Sequence, residues 1–287
     1  MDGYSSNATR SARREIREFL NPRHLLASVA RNRELIWQLS RREVRQRYQG
    51  SFLGIGWALI TPLATLGVYT LVFGVIFSAR WEQTEADGVV GYAIILFAGM
   101  IAYNVFGETI GSAPSLVASR PNYVKKVVFP LEILTLTTLA GALFHSLIGV
   151  GIIAVLSLLT TGTVSSTIWM LPLAYIPLLA MTAGLTWILA AIGVFYRDLD
   201  NLIGIVVQLL FFLTPILYPL SAVPESIRPL MRLNPLTTIV EDFRRILLWG
   251  LPPNWEWLAL NTVLSAAVAL LGYTCFMALR RAFADVL

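Results

Sequence analysis

The chain has little of what most enzymes and secreted domains are built from: one cysteine, two histidines and two lysines among 287 residues. A lone thiol, Cys275, forms no internal disulfide, and it lies in an apolar stretch where it reads as filler. The histidines, His24 and His145, stand far apart, and no carboxylate is spaced to complete a metal site around either. The lysines, Lys125 and Lys126, follow Val124 and each other instead of a glycine. A phosphate-cradling loop needs lysine directly after glycine, so the chain carries no such ATPase site. Charged residues make up only 14%, and none occurs from Ser51 to Ala79.

Hydrocarbon takes the place of charge. The chain is 56% hydrophobic, with a mean hydropathy of +0.67, more than a soluble core hides. An apolar helix of about 20 residues crosses a hydrocarbon layer about 30 Å thick. Six runs meet that length: Gly54–Ala79, Val89–Ser112, Glu132–Leu159, Ile168–Tyr196, Asn201–Leu220 and Leu258–Leu279. The expected fold is therefore an all-α integral membrane protein with six transmembrane helices. The polar, arginine-rich first fifty residues hold no isolated apolar segment, so a cytoplasmic amino terminus that stays attached is expected.

Basic residues orient the spans, because short loops rich in arginine and lysine stay in the cytoplasm. With the amino terminus inside, seventeen basic residues fall on the cytoplasmic side and five outside. Both termini are thus expected inside, with loops 80–88 and 221–257 outside. The net charge of +5 then reflects contact with anionic membrane lipids at span ends, and nucleic-acid binding is excluded.

Residues 1–30 read as a cytoplasmic tail with a short helix, stopped at Pro22. Residues 31–53 hold an amphipathic interfacial helix, with Trp37, Ser40, Val44 and Tyr48 on one face and Arg41, Arg42 and Arg45 around the other. The six-span domain covers 54–279, and 280–287 is a cytoplasmic end. Between spans two and three, Ser119 or Asn122 is expected to cap a short helix, and Glu132 to lie at the interface within reach of Lys125 or Lys126. Pro215 and Pro219 allow the fifth span to break. After it, Asn234 and Pro235 read as cap and first helical position, and Gly250 as the stop. Between them Leu236, Ile239, Val240, Phe243, Ile246 and Leu247 recur at helical spacing, with Glu241, Asp242, Arg244 and Arg245 opposite. This external region, 221–257, is expected to form a re-entrant or gate hairpin.

Within the spans, ionisable groups are too few for an ion-driven transporter. His145 reads as an interhelical hydrogen-bonding group, Glu108 as a snorkelling or locally paired carboxylate that shares a face with Asn104. Tyr69, Phe73 and Phe77 are spaced by four along the first span, and Tyr103 and Phe106 stud the second. Flat ring faces suit the C–H faces of a passing sugar, so these five are candidate substrate-lining residues beside ordinary packing. Arg41, Arg42, Arg45, Arg47 and Tyr48 are candidates for a lipid pyrophosphate, since guanidinium forks match phosphate oxygens.

The segment "RYQGSFLGIGWALITPL" (47–63) resembles the signature of ABC-2 type permeases that export polysaccharides such as O antigen, capsule or teichoic acid. "VKKVVFPLEIL" (124–134), "FYRDLDN" (195–201), "LTPILYP" (213–219) and "LNPLTTIVEDFRRILLWG" (233–250) are similar to further family segments in the same order. The resemblance implies a homodimeric permease in the bacterial inner membrane, with two copies of a separate ATP-binding subunit that alone bind ATP and magnesium. It implies a lipid-linked polysaccharide as cargo and no cofactor or catalytic residue in this chain. It also implies that Arg120, Asn122, Tyr123, Lys125 and Lys126 couple to the ATPase, and that Pro215, Pro219, Asn234 and Arg244 belong to a gate. The rivals are an exporter of a small lipid or drug, a structural anchor subunit, and a membrane glycosyl- or acyltransferase. The transferase would draw on Asp198 and Asp200, which also fit a turn capping span five.

Overall fold

Proline at the first position of a helix costs no hydrogen bond, since that N–H has no intrahelical partner. Helices begin this way at Pro22, Pro121 and Pro235. The structure, a computed structural model, describes residues 19–76, 81, 89–125 and 129–287, and no strand occurs among the described residues. In chain order α1 is Pro22–Arg31, α2 Arg33–Tyr48, α3 Gly54–Ile76, α4 Val89–Gly111, α5 Ser115–Ala118, α6 Pro121–Val124 and α7 Ile133–Thr161. There follow α8, Ile168–Gly193; α9, Leu199–Leu213; α10, Arg228–Leu233; α11, Pro235–Leu247; and α12, Trp255–Leu279.

Among the described residues five helical stretches are long and apolar enough to cross a membrane: α3, α4, α7, α8 and the stretch Trp255–Val286 that contains α12. Helix α9 is apolar but only 15 residues long, about 22 Å at 1.5 Å per residue and short of a full hydrocarbon layer. Its break is sharp. Thr214 leaves helical geometry with ψ 133°, and Pro215 follows. Helix α3 is interrupted too, by Pro62 inside it and a wide π-helical stretch from Thr70 to Ile76.

Helix α4 is the centre of the bundle: 83% of its most apolar window is buried, against 6% for α3. Helices α8 and α12 lie closest together, because Gly184 and Gly272 face each other without side chains. A Cβ at Gly184 would stand 2.5 Å from the carbonyl oxygen of Val268. Small residues of this kind let membrane helices approach to backbone contact.

Several expectations are corrected. Pro22 also starts a helix, which Asn21 caps by accepting the Arg23 N–H at 3.0 Å. On α2, Ser40 is buried and Val44 and Tyr48 half-buried, but Trp37 is 70% exposed. The packing face is rotated toward Glu43, whose stem lies over Gly141 of α7. Of Ser119 and Asn122, Ser119 caps a short helix, as the C-cap of α5 with its N–H on the Ser115 carbonyl at 2.9 Å, while Asn122 lies inside α6, which Arg120 precedes without a capping bond. Asp198 precedes α9 but its side chain makes no cap bond. Glu132, expected at the interface, is buried and pairs with Arg280. Asp242 and Arg244 are buried, not on an outward polar face.

Candidate functional site

Two chain reversals bring the arginine-rich helix to the bundle. Gly50 and Gly54 adopt left-handed φ of 85° and 52°, which a side chain would strain, and so turn the chain from α2 into α3. The turn leaves Arg47 and Tyr48 at the edge of a cleft of about 720 Å³ between α3 and α4. Thr61, Pro62, Thr65 and Tyr69 line one wall; Tyr103, Asn104 and Glu108 line the other, with His145, Val207 and Phe211 closing it.

Four polar side chains from three helices form a chain at the cleft mouth. Arg47 pairs with Oε1 of Glu108. The other carboxylate oxygen of Glu108 is 3.0 Å from Nδ1 of His145, and His145 Nε2 is 2.7 Å from the Tyr48 hydroxyl. Burial pushes the Tyr48 phenol above its ordinary value, so it stays a neutral donor or acceptor. The site is thus charged at one end, hydroxyl-bearing along its length and aromatic deeper in.

The sequence candidates divide. Arg47, Tyr48, Tyr69 and Tyr103 come together in the cleft. Tyr69 stacks on Phe211 with ring centroids 6.1 Å apart, and the Tyr103 hydroxyl donates to the Val207 carbonyl. Arg45 borders a separate hollow beside Tyr48, while Arg41 and Arg42 are exposed along α2. Phe73 packs behind Tyr69 at 6.2 Å. Phe106 lies in the core and not on the cleft. Phe77 lies outside the described residues, as does Lys126.

Between α4 and α7, Arg120 donates to both carboxylate oxygens of Glu43 at 3.0 and 3.2 Å. Tyr123 stacks on Phe129 with centroids 4.4 Å apart, and Asn122 and Lys125 are exposed. Glu43 and Phe211 went unremarked from sequence, because nothing local marks a helix residue whose partner is distant in the chain.

At the opposite end, Asn234 caps α11 by accepting the Leu236 N–H, and its Nδ2 donates to Thr214 Oγ1, both at 3.0 Å. Arg244 reaches from α11 into the break after α9. Its Nη1 and Nη2 donate to the carbonyls of Pro215 and Ile216 at 2.8 Å, and its Nε donates to Ile95 of α4 at 3.3 Å. An unwound segment has carbonyls without helical partners, and a guanidinium supplies several donors in one plane. Burial lowers the Arg244 ionisation to about 10, leaving it charged at neutral pH. Pro219 lies with Pro215 along a cavity of about 420 Å³ that Trp81, Asp242 and Trp257 also line.

The family model described as ABC-2 type transporter matches residues 34–248. The chain is 28% identical over 263 residues to the O-antigen export system permease protein RfbA of Myxococcus xanthus, covering 91% of this chain and 98% of that protein. It is 24% identical over 255 residues to the protein of the same name from Klebsiella pneumoniae, at 88% and 95% coverage. It is 25% identical over 222 residues to the polysialic acid transport protein KpsM of Escherichia coli, at 73% and 79% coverage. With three quarters of its length inside the family model and its apolar helices arranged for repeated crossing, this multi-pass membrane chain belongs to the ABC-2 type transporter family.

Proposed function

We propose that the chain is the permease subunit of an ATP-driven exporter that moves a lipid-linked polysaccharide of O-antigen type across the bacterial inner membrane. The observation that carries this reading is the cleft: a guanidinium and a phenol at its mouth, then threonine hydroxyls, an amide and aromatic rings. That order suits a phosphate head followed by sugars. The relatives named as export permeases support the same cargo.

In this reading the chain crosses the membrane six times, with α9 and the broken segment after it as the fifth crossing. Both termini are cytoplasmic, and two copies pair so that their exposed α3 faces surround one route. Each copy docks a separate ATP-binding subunit, which binds ATP and magnesium. Helix α2 lies in the cytoplasmic interface, where Arg41, Arg42 and Arg45 meet lipid heads and Arg47 meets the cargo. Residues 113–125 receive the ATPase stroke, and the hairpin from Pro215 through α11 forms the external gate.

The test is reconstitution of the chain with its ATPase in vesicles holding a lipid-linked glycan. ATP-dependent translocation is expected, and translocation with no nucleotide-consuming companion sinks the reading. Arg47→Lys and Arg47→Ala then separate fork recognition from bare charge: similar loss in both implicates the fork, and activity kept by lysine leaves charge alone.

A further inference from the structure

Two ion pairs leave α2 one helical turn apart, toward different parts of the molecule. Glu43 holds Arg120, which precedes α6. Four residues on, about 6 Å along the axis, Arg47 holds Glu108 in the last turn of α4, and the neighbouring Tyr48 bonds His145 of α7. The far end of the 113–132 segment is anchored differently. Glu132, 5% exposed, accepts from Ser28 Oγ at 3.0 Å and Arg280 Nη1 at 3.2 Å. Its backbone carbonyl accepts from Trp187 Nε1 at 3.0 Å, and Arg280 Nη2 donates to the Phe129 carbonyl at 2.7 Å.

Hydrogen bonds inside a low-dielectric interior cost far more to leave unmade than pairs reached by solvent. The rear anchor is therefore the fixed end. The Glu43–Arg120 pair, with side chains 37% and 26% exposed, is the end that can follow a push. Its stroke passes into a rigid helix whose next turn holds the cleft mouth.

We infer that Glu43 is a positioning residue that transmits movement of the 113–125 segment through one turn of α2 to the Arg47–Glu108 and Tyr48–His145 contacts. The inference rests on the exporter reading above and adds to it the residue on the membrane side that receives the stroke. Glu43 touches neither the cleft nor its contents. Its effect is on how hydrolysis and export are tied together.

The experiment measures ATP hydrolysis and glycan translocation side by side in vesicles containing the assembled transporter. Glu43→Gln, which keeps size and hydrogen-bonding capacity, is expected to leave hydrolysis within about twofold while glycan exported per ATP falls at least about fivefold, the lower edge of usual coupling factors. Arg120→Gln, in the segment read as meeting the ATPase, is scored on glycan exported per ATP alone and is expected to lower it likewise. The exchanged pair Glu43→Arg with Arg120→Glu is expected to recover at least half of the exported glycan per ATP. The inference fails if either glutamine variant lowers hydrolysis and export in proportion, if export per ATP is unchanged, or if the exchanged pair does no better than its single members. A wild-type complex that shows no ATP-dependent export would overturn the exporter reading itself, a different outcome from any of these.

Discussion

The guanidinium carbon of Arg244 lies 4.5 Å above the ring of Trp81, so one cation is sandwiched between an indole and the bare carbonyls of the broken chain after α9. Gly99 makes room for it, since a Cβ there would stand 2.8 Å from Arg244 Nη2. The cation joins α4, α11 and the break, and it does so where regular helix bonding is absent.

Removing that cation should loosen the break. Leaving buried carbonyls unpaired costs about 1–3 kcal/mol each. With Cys275→Ser and a reporter Leu217→Cys, Arg244→Ala is expected to raise maleimide labelling roughly tenfold or more. Arg244→Lys should fall between, because a point charge cannot serve the same set of carbonyls. An unchanged labelling rate would show that Arg244 does not hold the break closed.

Asp242 predicts a pH response of the same hairpin. Its carboxylate accepts the Asn254 N–H at 2.8 Å, yet burial dominates and pushes its ionisation from 3.8 up to about 6. A carboxyl whose folded value is raised stabilises the folded state below its ordinary value. That contribution is lost as pH climbs to the folded value. Segment 235–254 should therefore open more readily at pH 7 than at pH 4.5. Hydrogen exchange corrected for intrinsic rate should show lower protection at the higher pH, and Asp242→Asn should flatten the profile.

The contact of α8 with α12 should tolerate no side chain. In Gly184→Leu the added atoms meet the Val268 backbone, which cannot turn aside as a flexible side chain would. A cost of about 1–3 kcal/mol or more is expected, read as a lower melting temperature and a smaller folded fraction on size exclusion. Gly204, where a Cβ would meet nothing within 4 Å, is the control. Equal behaviour of Gly184→Leu and Gly204→Leu would count against close packing.

Tyr48 and His145 should behave as one unit. Tyr48→Phe and His145→Ala each remove one end of the same 2.7 Å hydrogen bond. The predicted interaction between the two substitutions is about 0.5–1.5 kcal/mol. Trypsin cleavage after the exposed Arg41 and Arg42 reports how firmly α2 is docked. Each single change should speed it, and the double change should add little beyond the larger single effect. Full additivity would show that the two side chains act separately.

The ends of helices were legible from local chemistry where one residue decided them. Asn234 and Pro235 start α11 as expected, and Gly250, at φ 62°, ends its reach. Local chemistry was incomplete at Pro22, because a ring that can end one helix also begins the next. It also misled on α11, whose apolar stripe was correct but whose Asp242 and Arg244 were assigned to solvent. The broken chain beside them offers buried carbonyls that no periodicity can reveal.

By itself the sequence determined that this is a bundle of apolar helices, which ends are basic and where the apolar run from Asn201 breaks at Pro215. Hydropathy and proline geometry act over a turn or a span and need no knowledge of neighbours. Only the tertiary structure decided that Glu43 meets Arg120, Glu108 meets Arg47 and His145, and Glu132 meets Arg280. Each pairing joins residues distant in the chain, and a rotation of any helix by a fraction of a turn would aim its charge at a different neighbour.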